Sequence, residues 1–129
     1  MAKDFEASKP IYLQIVDQVF QKIARGEIKP GEKLPSVREM AIQSGVNPNT
    51  IQRSYTEMER MGIVETKRGQ GSFVIESESI VHELQRSMQR EIIEQFVSNM
   101  EELGFSKEQM MKGLESYLKE RDQDGHSLS

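Results

Sequence analysis

The sequence predicts a mainly α protein with a small β-hairpin: a winged helix-turn-helix followed by a two-helix C-terminal dimerisation segment. Three observations lead there. Apolar residues recur at three- and four-residue steps through most of the chain. Two helices, each opened by its own start signal, are joined across Ser44-Gly45-Val46-Asn47. Two short β-type runs then follow around Arg68-Gly69-Gln70-Gly71.

Tyr12, Ile15, Val16, Val19, Phe20 and Ile23 share one face of a first helix running from about Pro10 to Arg25. Pro10 suits its first turn and Gly26 its C-terminal cap. Between Ile28 and Pro35, two prolines and Gly31 exclude helix and predict a turn leading into a short strand. Ser36 and Glu39 form a capping box ahead of Val37, Met40 and Ala41. This second helix ends near Ser44, where Gly45 supplies the turn. Asn47 as N-cap and Pro48 at the first helical position open a third helix, which reaches about Met61 and stops at Gly62. Ile63–Lys67 and Ser72–Ile75 read as the strands of the hairpin.

Composition changes from Ser77. Val81, Leu84, Met88, Ile92, Phe96, Met100 and Leu103 step through a long helix that Gly104 ends, with Phe105 placed for the apolar contact of a glycine cap. Ser106 and Gln109 make a second capping box, opening a last helix with Met110, Met111, Leu114 and Leu118 on its apolar face. The expected organisation is a DNA-binding domain over 8–76, a helical dimerisation segment over 77–121 and a flexible polar tail over 122–129.

The net charge of −4 divides unevenly. Residues 1–75 hold 11 Lys/Arg against 9 Asp/Glu, and residues 76–129 hold 6 against 12. A mildly basic head on an acidic body suits a protein whose head meets phosphates and whose body is kept off them. Cysteine is absent, which excludes disulfides and thiolate metal sites. No apolar run of membrane-spanning length occurs, and Met1 to Glu6 lack the apolar stretch of a secretory signal. A cytoplasmic protein without membrane, metal or cofactor is expected.

The third helix divides into two faces. Ile51, Tyr55 and Met58 should pack inward, leaving Asn49, Gln52, Arg53, Thr56 and Arg60 outward. Amide and guanidinium groups on a recognition helix can pair with adenine and guanine edges in the major groove. A solvated helix face is the usual reading of a lone polar stripe; here its position, second in a helix-turn-helix and followed by a wing, favours DNA. Arg68, beside two glycines at the hairpin tip, suits a minor-groove or phosphate contact, with Gln70 and Lys67 on the same edge.

Pro10-Ile11-Tyr12 with Gln14-Ile15, Pro30-Gly31, Leu34-Pro35-Ser36-Val37-Arg38-Glu39-Met40-Ala41, Gly45-Val46, Thr50, Tyr55, Glu59, Gly62-Ile63 and Gly69-Gln70-Gly71-Ser72-Phe73-Val74 together resemble the GntR DNA-binding domain over roughly residues 8–75. The two-helix tail and Val46-Asn47-Pro48-Asn49-Thr50 resemble its YtrA-type subgroup. The resemblance implies a homodimeric transcriptional regulator on a palindromic operator in double-stranded DNA, with repression and control of a transporter operon as the expectation. It also implies DNA contacts from Arg38, the start of the recognition helix and the wing tip. The candidate contact set is therefore Arg38, Asn49, Thr50, Gln52, Arg53, Lys67, Arg68, Gly69 and Gln70. Pro48 and Gln52 stand where the fatty-acid-regulator branch carries arginines, so base preference does not transfer from that branch.

The dimer is assigned to Leu84, Met88, Ile92, Phe96, Met100, Leu114 and Leu118, because one helix with a regular apolar stripe cannot cover it alone. Gly113, costly in mid-helix, is expected to permit close helix approach. Among rivals, an enzyme is disfavoured: Glu101-Glu102 and His82-Glu83 are adjacent pairs that point to different helix faces. A winged helix used for protein contact would lack Arg38, Arg53 and Arg68. Met88, Met100, Met110 and Met111 could line an effector cavity, though core or dimer seam is the more usual role of such residues.

Overall fold

Five helices and one hairpin follow one another in the computed structural model, which describes residue 5 and residues 7–123. They are α1 (Ile11–Ala24), α2 (Val37–Ser44), α3 (Pro48–Arg60), β1 (Val64–Lys67), β2 (Gly71–Val74), α4 (Glu78–Glu102) and α5 (Lys107–Gln123).

Local chemistry sets the ends of these elements. The Ser36 hydroxyl accepts from the Glu39 amide while the Glu39 carboxylate accepts from the Ser36 amide, a complete capping box on α2. Asn47 caps α3 by accepting from the Asn49 amide, with Pro48 in the first turn. Ser106 and Gln109 repeat the reciprocal pattern on α5. At the C-termini of α1, α3 and α4, the amides of Glu27, Ile63 and Phe105 reach back to the carbonyls of Lys22, Met58 and Met100. Each closes over a glycine of positive φ: Gly26, Gly62 and Gly104.

The chain separates into two compact units, one through Arg86 and one from Ser87, so the division falls inside α4. In the first unit α1, α2 and α3 surround a core of Ile15, Val16, Val19, Phe20, Ile23, Ala41, Ile51, Tyr55 and Met58, closed by Leu34, Ile63, Val64 and Val74. Burying each large aliphatic here contributes roughly 1.5–3 kcal/mol. The first turns of α4 belong to this unit, and the Gln85 amide donates to the Ala24 carbonyl at the end of α1 (3.0 Å).

β1 and β2 pair antiparallel from Val64 opposite Val74 to Lys67 opposite Gly71. The strand expected before Pro35 is reduced to a single bridge, Lys33 opposite Phe73, because Pro30 and Pro35 bracket it too closely for a longer ladder. Its backbone is nevertheless satisfied: the Leu34 amide donates to Ser72 and the Val74 amide to Glu32.

In the second unit, only Met110 is buried among the described residues. A groove of about 440 Å³ between α4 and α5 is lined by Ile93, Phe96, Val97, Glu101, Lys107, Met110, Met111 and Leu114. The polar tail expected from residue 122 begins inside α5, which extends through Asp122 to Gln123. Residues 124–129, His126 included, lie outside the described residues, as do Met1 to Asp4 and Glu6 of the N-terminal stretch.

Candidate nucleic-acid interface

The recognition helix is held by its buried face. Ile51, Ser54, Tyr55 and Met58 are all at most 5% exposed. Ser54, not singled out from sequence, donates to the Tyr12 carbonyl of α1 (2.8 Å) and also lies 3.2 Å from the Thr50 carbonyl. A small polar residue in an apolar stripe was the available signal. The Tyr55 hydroxyl donates to the Pro35 carbonyl (2.6 Å), and burial pushes its pKa up to about 12. These two bonds tie α3 to α1 and to the segment entering α2.

The opposite face is free of the core. Asn49, Gln52, Arg53, Thr56 and Arg60 are exposed, and Thr50 is half-buried. Their availability differs. Arg60 is engaged by Glu57 through both its Nε and a terminal nitrogen, and that hydrogen bonding holds the Glu57 carboxyl below the usual carboxylate range. Arg53 lies over the Tyr12 ring, 3.9 Å from its centroid. Gln52 approaches the Thr56 hydroxyl only at 3.5 Å.

Arg38 stands exposed in the first turn of α2, without an ion pair among the described residues. Two acids that could have neutralised it, Glu39 and Glu57, are committed elsewhere: Glu39 to the Ser36 cap, which lowers its pKa, and Glu57 to Arg60.

The wing tip is a tight turn. The Gln70 amide donates to the Lys67 carbonyl (2.9 Å), and Gly69 has φ +76°. With no non-glycine residue at positive φ among those described, this is a type II turn with glycine at its third position. It leaves the Arg68 side chain exposed beside a backbone without Cβ at Gly69. Lys67 covers the Phe73 ring at 4.8 Å. Lys33 is an additional cation at this edge, its chain lying across Gly71, where an added Cβ would meet its Cε at 2.9 Å.

The dimer candidates fall into two groups. Leu84, Met88, Phe96 and Met100 are half-buried within the chain. Ile92 is 70% exposed, and Leu114 and Leu118 are nearly half exposed. The face of α4 turned to the groove is carried by Ile93, Phe96 and Val97, while Ile92, one turn before Phe96, stays exposed, as does Leu103 just past the helix end. A Cβ at Gly113 would meet nothing within 4 Å, so no close approach to that glycine occurs within the chain. Among the described residues no helix is long and apolar enough to cross a membrane, and no group of three His, Asp or Glu could hold a metal.

A helix-turn-helix carrying an outward polar face, followed by a glycine-tipped basic wing, defines a DNA-binding transcriptional regulator. Residues 11–74 match the family model of bacterial regulatory proteins, gntR family. The chain is 59% identical over 117 residues to the uncharacterized HTH-type transcriptional regulator YhcF of Bacillus subtilis, covering 91% of this chain and 97% of that one. It is 49% identical over 74 residues to the HTH-type transcriptional repressor YtrA of the same organism, 57% of each chain. A solved GntR family transcriptional regulator from Listeria monocytogenes superposes with a TM-score of 0.83 at 39% identity, over 87% of this chain and 98% of that one. The chain belongs to the GntR family, with YtrA-like regulators among its relatives.

Proposed function

We propose that this regulator acts in the cytoplasm as a homodimeric repressor on a palindromic operator, contacting DNA through Arg38, Asn49, Thr50, Gln52, Arg53 and the wing residues Lys67, Arg68, Gly69 and Gln70. The observation that carries the reading is the selective pairing of charge on the head. Glu39 and Glu57 are held by Ser36 and Arg60, while Arg38 and Arg68 remain without an acidic partner among the described residues. Unneutralised guanidinium groups flanking a recognition helix are what phosphates and guanine edges require.

The second unit supports the dimer. A two-helix segment with one buried residue and with Ile92, Leu103, Met111, Leu114 and Leu118 exposed cannot form an independent core. A two-fold partner would cover these residues and present two recognition helices to two half-sites. Repression follows the relative named a repressor, and a transporter operon remains the expected target from the subgroup resemblance. The groove between α4 and α5 leaves a small-molecule effector open without calling for one.

The test combines selection and sedimentation. The full-length chain should enrich an inverted repeat from a random duplex library and sediment as a dimer at micromolar concentration. Enrichment of a single unrepeated site by a monomer would overturn the reading.

A further inference from the structure

Arg53 has an uncommon setting for a residue on a recognition helix. Its guanidinium lies over the Tyr12 ring at 3.9 Å, and Tyr12 belongs to the first turn of α1. The Tyr12 backbone is anchored at the same place: its carbonyl accepts the 2.8 Å bond from buried Ser54, the residue next to Arg53. The stack and the hydrogen bond therefore fasten the same two helices at the same place.

No acid among the described residues pairs with the Arg53 guanidinium. Glu57, one turn further along α3, feels Arg53, but its hydrogen bonds go to Arg60. A guanidinium flat on an aromatic face keeps its in-plane N–H donors available, and Arg53 makes no hydrogen bond or ion pair among the described residues. It is also drawn onto α1, where the Tyr12 ring lies. Bidentate reading of a guanine needs a side chain extended into the groove; a side chain laid on α1 is placed for the strand backbone beside it.

We infer that Arg53 holds a DNA phosphate and that Tyr12 is its positioning residue, fixing the guanidinium at the α1–α3 junction. This rests on the operator-binding reading above. It assigns Tyr12 a part in binding and removes Arg53 from base recognition, leaving Gln52 and Asn49 to read sequence.

The experiment uses the full-length chain with a duplex selected by the wild-type protein and a scrambled duplex of equal length, followed by anisotropy over a range of salt. Arg53→Ala should weaken both duplexes by the same factor, about tenfold. It should also flatten the slope of log K against log salt by about 0.9 for each phosphate no longer neutralised. Tyr12→Leu should weaken binding about threefold in the wild-type background and have no further effect in Arg53→Ala, whereas Tyr12→Phe, which keeps the ring, should bind as wild type.

If Tyr12→Leu proves unfolded by circular dichroism, Arg53→Lys carries the test. It keeps the charge without the planar fork and should bind several-fold more weakly at an unchanged salt slope; wild-type affinity there would overturn the inference. So would an Arg53→Ala loss confined to the selected duplex, or additive effects of the Tyr12 and Arg53 changes. Failure of the wild-type chain to select any duplex would instead sink the operator-binding reading itself, and the inference with it.

Discussion

The Tyr55 hydroxyl on α3 donates a 2.6 Å hydrogen bond to the backbone carbonyl of Pro35, twenty residues earlier. This bond holds the recognition helix against the segment that enters α2, and it is made only by the protonated phenol. Burial raises the Tyr55 pKa from 10.0 to about 12, with the Glu39 charge adding to the effect. A raised folded-state pKa means stability that is complete below pH 10 and is lost as pH climbs toward 12. Thermal melts between pH 9 and 12 should show the midpoint falling through that window. Tyr55→Phe should lower stability at pH 7 by about 1 kcal/mol and make the alkaline fall shallower. An identical alkaline fall in the phenylalanine variant would show that Tyr55 is not its source.

Arg38 and Arg68 are expected to act through charge. Replacing either with alanine should weaken operator and non-specific DNA alike and reduce the salt slope by about 0.9 per phosphate contact. Titrations at several salt concentrations measure this, and an unchanged slope in both variants would remove the two residues from the interface.

Gln52 should behave differently. Its amide is exposed, with only a 3.5 Å approach to Thr56 to hold it. Gln52→Ala should cost roughly 1–3 kcal/mol on the selected operator, relax preference at one position of each half-site, and leave scrambled duplex unaffected. Equal losses on both duplexes would make Gln52 a backbone contact.

The capping box on α2 contributes to the head's stability. Ser36→Ala should cost about 1 kcal/mol in denaturant melts, since it removes the acceptor for the Glu39 amide. Hydrogen bonding from Ser36 lowers the Glu39 pKa from 4.5, so its contribution is present above that pH and fades as pH falls below it. Acid melts of Ser36→Ala should show a weaker fade; an unchanged one would mean the bond from the Ser36 amide alone sets it.

Truncation after Arg86 should leave a folded head that sediments as a monomer, with operator affinity sharply reduced through lost bivalency. The cut belongs there and not at the end of β2, because Gln85 bonds to the Ala24 carbonyl. A dimeric head in sedimentation would place the interface elsewhere.

The sequence by itself determined the order of the elements and most of their ends. Ser36 with Glu39, Asn47 with Pro48, Ser106 with Gln109, and the glycines at 26, 45, 62, 69 and 104 act through neighbours within one or two turns. Such signals need no knowledge of the rest of the chain. Even the inward face of α3, Ser54 included, follows from helical periodicity; only the partner of the Ser54 hydroxyl, a carbonyl 42 residues away, does not.

Only the tertiary structure decided which outward groups are available and how they are held. Arg53 and Arg60 look equivalent as letters on one polar stripe; a local i,i+3 pair gives the second to Glu57, but only packing against α1 puts the first on the Tyr12 ring. Packing likewise leans α4 on the groove through Ile93 and Val97 and leaves Ile92 outside, although Ile92 is the residue that the regular stripe selects. The reason is physical. Elements end where local hydrogen bonds are satisfied, whereas the fate of a surface charge or an apolar side chain depends on neighbours brought together by the fold.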